Sequence, residues 1–186
     1  RNVLVRTVAF FVFGSAGWAL LPLVARRELG LGPAGYGVML ACIGLGAIAG
    51  AILLPRLRQR LNADRLMLAA SLTFALTMLA LAFVRHVWLL NLFEFFTGFA
   101  WIAVLSTLNL GAQRSAARWV KARALAVYLT VFFGSMTAGS AVWGQIASQF
   151  GTPTSLVVAT LGMVLASATA FRWKLEKDQI GRASCR

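Results

Sequence analysis

Acidic residues are scarce in this sequence. The 186-residue chain has 5 Asp and Glu against 18 Lys and Arg, a formal net charge of +13. It has a single histidine, His86, and two cysteines, Cys42 and Cys185. So few carboxylates, imidazoles and thiols, so far apart, give no cluster with metal-ligand spacing, and no metal or cofactor is implied. The two cysteines imply no disulfide framework. Cys42 lies inside an apolar run, where a lone thiol reads as a small packing residue. Charge of either sign is thin, at 12% of residues. A nucleic-acid binder with such an excess of cations is a soluble domain that spreads them over a groove or stripe. Here 60% of residues are hydrophobic, and stretches such as Leu66–Val84 carry no charge at all. That pattern argues against nucleic acid as a partner.

Apolar length is what the chain has in abundance. The hydrocarbon core of a bilayer is about 30 Å thick and takes roughly 20 helical residues to cross. Six segments fit that measure: about Thr7–Ala25, Tyr36–Leu54, Leu66–Val84, Val87–Ala112, Ala124–Ser148 and Thr154–Phe171. Lipid offers no partner to a backbone amide, so helices are the expected form. None of the segments alternates apolar and polar residues as a membrane β-strand does. The predicted fold class is an all-α polytopic membrane protein with six transmembrane helices, and its first partner is the lipid bilayer.

The cations have a side. LPRLRQRLNADR (54–65) holds Arg56, Arg58, Arg60 and Arg65 in one short link. Arg1 and Arg6, then Arg114, Arg118, Lys121 and Arg123, then Arg172, Lys174 and Lys177 fall on the same side of the six segments. Only Arg26, Arg27 and Arg85 fall on the other. Short loops rich in Lys and Arg stay in the cytoplasm. Both ends of the chain are therefore predicted to be cytoplasmic, in a multi-pass protein of the bacterial inner membrane. Arg56, Arg58, Arg60, Arg118, Lys121 and Arg123 read as topology determinants beside anionic headgroups. The sharper alternative makes them a cytoplasmic gate paired with carboxylates elsewhere. No initiator Met and no signal-peptide pattern precede the first segment, and the chain reads as a piece of a longer one. Its last eight residues, QIGRASCR (179–186), resemble the translated read-through of a sequencing adapter. Setting them aside leaves 1–178 as the six-span unit.

Polarity is confined to particular faces. At 100° per residue, Asn91, Glu94, Gly98, Asn109 and Gln113 fall within about a quarter-turn of the fourth segment, flanked by Trp101 and Ile102. Glu94 is the only acid within any predicted span. An ionisable group there costs on the order of 3 kcal/mol or more and by default marks a functional site. It is the candidate for binding a proton or a cationic substrate, with Asn91, Asn109 and Gln113 as hydrogen-bonding cavity residues. The bland alternative pairs it with Asn91 or a basic residue, or lets it snorkel to the outer headgroups. In the first segment Thr7, Phe11, Gly14 and Trp18 share a face, with Ser15 and Pro22 nearby. Phe11, Trp18 and Trp101 are candidates for contact with an apolar substrate, or for packing alone.

The second segment spaces Cys42, Gly46 and Gly50 four apart, and the fifth carries Gly134/Ala138, Ser135/Gly139 and Ser140/Gly144. Small residues at that spacing let helices approach closely in lipid. The third and sixth segments are plain and are expected to face lipid. The roles thus repeat, polar, small, plain, in two sets of three that start on opposite sides. This is the 3+3 inverted repeat found in each half of major facilitator transporters.

Three stretches carry a family resemblance: WALLPLVARRELGLGPAGYGVMLACIGLGAIAGAILLPRLR (18–58), LSTLNLGAQ (105–113) and ARWVKARALAVYLTVFFGSMTAGSAVWG (117–144). They resemble the enterobactin-exporter-like, transmembrane secretion effector branch of the major facilitator superfamily, over essentially Asn2–Trp173. The resemblance implies the C-terminal half of a twelve-span transporter whose other partner is a missing N-terminal six-span half. The first and fourth spans would line the central cavity, and the second and fifth would face the other half. The implied activity is export of a siderophore- or drug-like small molecule, coupled to protons, by alternating access. Two departures stand out. The run AILLPRLRQR lacks the acid usual in the superfamily's signature loop, and Arg118 precedes Trp119 where the branch tends to carry an acid.

Two other classes were weighed. One is a non-transporting membrane partner protein with a decayed transporter fold. The other is an intramembrane hydrolase, which needs a serine in a G-x-S-G turn near a histidine. GSAG (14–17) and FGSM (133–136) do not fit that pattern, His86 lies in an outer turn, and no catalytic residue is assigned.

Overall fold

The computed structural model describes residues 2–114 and 118–170, and among these every regular element is helical. The principal helices are α1 (Asn2–Leu23), α2 (Pro33–Arg60), α3 (Ala63–Phe83), α4 (Val87–Arg114), α5 (Lys121–Phe150) and α6 (Thr152–Ala170). All six are long and apolar enough to cross a membrane. The tail 179–186, the cations Arg172, Lys174 and Lys177, and the side chain of Arg118 lie outside the described residues. Several helices run past their apolar windows, because a helix can carry charged ends that a hydropathy window excludes. The consequence is largest at α3, which starts three residues earlier than predicted and takes Asp64 into its first turn.

Local chemistry sets the ends. Gly32 is extended and Pro33 occupies the first turn of α2, where its missing N–H costs nothing. Pro22 near the end of α1 removes a hydrogen-bond donor. The helix continues as a wider π-type turn over Val24–Glu28, closed by Leu29 N–H donating to the Val24 carbonyl at 3.1 Å. Gly30 (φ +63°) and Gly151 (φ +87°) then reverse the chain between α1 and α2 and between α5 and α6, in backbone conformations that favour glycine.

The packing has a twofold pattern. α1 packs against α5 and α6, α4 packs against α2 and α3, and α3 meets α6. Exchanging α1 with α4, α2 with α5 and α3 with α6 reproduces the same set of neighbours. The closest approaches repeat as well. A Cβ added to Gly46 would collide with the Phe95 carbonyl, and one added to Gly98 would collide with the Ile43 carbonyl, so α2 and α4 touch backbone to backbone. In the other triplet a Cβ on Gly139 would collide with Ser15 Oγ and the Val12 carbonyl. FFVFGSAGW (10–18) and FEFFTGFAW (93–101) align on these contacts. The alignment places Trp18 and Trp101 in equivalent positions, and their rings meet at 5.2 Å.

One expectation needs correction. α3 is the most buried of the six spans and not a lipid-facing outer helix. Its Phe74, Met78 and Leu81 sit in the core, because α3 lies between α4, α6 and α1. Of the small residues, Gly46, Gly50 and Gly139 lie at crossings within this bundle, whereas Gly134 and Gly144 lie on the face of α5 that no helix of the bundle covers. α2 and α5 each bury one narrow face only. A paired substitution exposes the difference on α2. Gly46→Ala must force α2 and α4 apart and should cost about 1–3 kcal/mol, as overpacking does. Gly44→Ala, with nothing near its Cβ, should be neutral or gain up to about 1 kcal/mol of helix propensity. Thermal unfolding midpoints in detergent would separate the two.

Candidate functional site

Glu94 lies seven residues into α4, about 10 Å from its start at 1.5 Å per residue. It is 2% exposed. Its carboxyl borders a cavity of about 10 Å³ walled by Gly17, Trp18 and Leu21 of α1, Ile43 of α2, Phe74, Thr77, Met78 and Leu81 of α3, and Thr97 of α4. A water needs about that much room, so the cavity suits a single water and excludes an organic substrate. Hydroxyls stand beside it. Thr97 Oγ1 donates to the Phe93 carbonyl at 3.2 Å and Thr77 Oγ1 to the Phe74 carbonyl at 2.8 Å. Among the described residues Glu94 forms no ion pair. Trp18 Nε1 and Asn91 Oδ1 are also buried and have no hydrogen-bond partner. Buried polar atoms are nearly always satisfied. Glu94 and Trp18 thus both border one small cavity, and Asn91 lies about one turn from Glu94 on α4.

The predicted polar stripe of α4 does not form one surface. Asn91 and Glu94 are buried, Gly98 is the crossing point with α2, Asn109 is half-buried and Gln113 is exposed. Gln113 Nε2 donates to Asn109 Oδ1 at 2.6 Å. Asn91 and Gln113 are about 33 Å apart along the helix. Helical angle placed all five residues on one side, but angle alone does not show that α2 crosses that side at Gly98.

The aromatic candidates separate too. Phe11 is fully enclosed by Phe10 at 5.1 Å, Trp101 at 5.3 Å and Phe132 at 4.4 Å, and it offers no surface to a ligand. Trp101 is half-buried and touches Phe10, Phe74 and Trp18 as well. Trp18 is half-buried, against Trp101 on one side and the Glu94 cavity on the other.

At the opposite end of the bundle, Arg58 Nη2 donates to Ser106 Oγ at 2.8 Å and ties α2 to α4. Arg56, Arg60, Lys121 and Arg123 are exposed. The residues missed by sequence reasoning are at this end. Arg6 of α1 and Asp64 of α3 form an ion pair at 2.7 Å, with side chains 3% and 10% exposed. Beside the pair is a cavity of about 20 Å³ lined by Ala9, Phe10, Met67, Leu68, Ser71 and Ser167. The available signal was Asn62 followed by an acid two residues on, the mark of a helix start that places Asp64 in the first turn. A second pair, Arg85–Glu28 at 3.1 Å, is partly exposed at the far end. The two pairs lie at opposite ends of the bundle.

The family model described as transmembrane secretion effector matches residues 1–184. The chain belongs to this family. It is a branch of the major facilitator transporters, so the six-helix secretion-effector bundle is a membrane transport unit. Neither the curated proteins nor the solved structures give a match. In this unit the serine of GSAG, Ser15, is consumed by the fold: it is fully buried at the Gly139 crossing and donates to the Val12 carbonyl at 2.8 Å.

Proposed function

We propose that this unit is one half of a proton-driven exporter of siderophore- or drug-like small molecules, working by alternating access in the bacterial inner membrane. The observation that carries the reading is Glu94: a buried carboxyl without an ion-pair partner, in a water-sized cavity within a transporter-family bundle. Ionisable groups in such positions mark proton relays and substrate paths. The basic end, with Arg56, Arg58, Arg60, Lys121 and Arg123, is the cytoplasmic side by the charge rule. Glu94 then lies about 10 Å below the outer end, where it takes up a proton from outside. The outward face of α5 supports a covering half. Thr130, Gly134, Ala138, Ala141, Gln145 and Ser148 are exposed along it. Small and polar residues suit contact with other helices, whereas lipid contact selects bulky apolar ones. Asn109 and Gln113 would offer hydrogen bonds near the cytoplasmic mouth, and Trp18 and Trp101 would flank the midplane.

Everted membrane vesicles carrying the full-length protein test the reading. With a respiratory proton gradient imposed, a panel of lipophilic dyes and iron-chelating catechols is added. A transported compound should accumulate in the vesicles and dissipate part of the gradient, and an uncoupler should stop its uptake. Uptake indifferent to the uncoupler sinks proton coupling.

A further inference from the structure

Two water-sized cavities lie on one seam. The inner cavity takes Arg6, Ala9 and Phe10 from α1 and Asp64, Met67, Leu68 and Ser71 from α3. The outer one takes Gly17, Trp18 and Leu21 from α1 and Phe74, Thr77, Met78 and Leu81 from α3. Along α3 the two linings are separated by less than one helical turn, between Ser71 and Phe74. What divides them is aromatic. The Phe10 and Phe74 rings meet edge-on at 5.4 Å, and Trp101 backs both at 6.2 and 5.9 Å.

We infer that the α1–α3 seam is a proton route from Glu94 to Asp64, with Arg6 holding Asp64 ready and the Phe10–Phe74 contact as the plug between them. The inference rests on reading Glu94 as the proton site. Several features support it. Burying an ion pair seldom adds stability over well-packed apolar residues, so stability alone does not account for Arg6–Asp64. Each cavity has room for about one water, and hydroxyls stand at both: Ser71 and Ser167 at the inner one, Thr77 and Thr97 at the outer one. Arg6 is the ionisable group that α1 presents to Asp64, and α6 contributes only the hydroxyl of Ser167 to that cavity. α1, α2 and α3 present no ionisable group to the Glu94 cavity.

The transfer balances. The Glu94 carboxyl gives its proton to a water in the seam and becomes a carboxylate. With the rings parted, that water hands a proton on to water in the inner cavity, which passes one to the Asp64 carboxylate, and this becomes a neutral acid. Arg6 keeps its charge, the proton leaves Asp64 to the basic end, and the ion pair forms again. The rings part when α1 rocks against α3, which joins proton movement to the conformational cycle.

The test needs no substrate. The full-length protein is reconstituted into liposomes containing a pH-sensitive dye, and a potassium–valinomycin potential drives protons inward. The parent should show only the protein-free leak. Phe74→Ala opens the plug and should acidify the lumen faster than the parent. Phe74→Leu, a milder change, covers the case in which the alanine variant elutes as aggregate. Adding E94Q, or the charge-neutral pair R6Q/D64N, should return the leak to background. A leak that survives R6Q/D64N overturns the route, and so does a folded plug variant with no leak. Vesicle export separates the two ideas. Export lost in E94Q with no plug-variant leak leaves the Glu94 reading standing without the seam. Export that survives E94Q removes the Glu94 reading itself.

Discussion

Glu94→Gln abolishes pH-driven export and leaves the bundle folded: that is the result expected of the proposed proton site. Glutamine keeps the shape of the side chain and removes only the group that binds a proton. In many proteins such a change would strand an opposite charge. Here no described residue forms an ion pair with Glu94, so no charge is orphaned. Burying a carboxylate in a span costs on the order of 3 kcal/mol or more. The neutral amide escapes that cost, and the thermal midpoint should hold or rise. Energy-independent exchange of substrate across the membrane should persist, because binding and rocking do not need the proton. Accumulation against a gradient should fall to the vector-only level. A variant that transports at the parent rate with the parent pH profile removes Glu94 from the mechanism.

The sequence carried the six spans and the place of Glu94 inside one of them, because each depends on chemistry local to one helix. The repeat was legible in outline. The structure gives it a concrete form in Gly46 against Phe95 and Gly139 against Val12, and in the meeting of Trp18 with Trp101. What the sequence could not carry was which face of each helix meets which neighbour. A stripe of constant helical angle looked continuous from Asn91 to Gln113, yet α2 crosses it at Gly98. Phe11 shares a face with Trp18 but is sealed among other rings. α3 looked plain because core packing and lipid contact select the same apolar residues, and only the tertiary arrangement tells them apart. Asp64 was overlooked for a boundary reason. A hydropathy window ends at the first charge, whereas the helix begins before it, and the partner that makes Asp64 tolerable is 58 positions away in the chain.

That partnership gives the largest expected change in stability. Asp64→Asn leaves the Arg6 guanidinium buried beside a neutral amide, and Arg6→Gln leaves the carboxylate in the same state. Removing one member of a buried pair costs about 3–5 kcal/mol, because the survivor keeps its charge without the partner that offset its burial. Each single variant should therefore unfold at a clearly lower temperature in detergent than the parent. R6Q/D64N removes both charges and should recover much of the loss, so the double-mutant cycle returns a coupling energy well above zero. Arg85–Glu28 supplies the contrast within the same protein. Its side chains are 38% and 30% exposed, and pairs of that kind contribute about 0–1 kcal/mol and weaken with salt. A cycle at Arg6–Asp64 no larger than the one at Arg85–Glu28 would mean that water reaches the inner pair freely. The inner pair would then be an ordinary surface contact, and the α1–α3 seam would be open at its basic end.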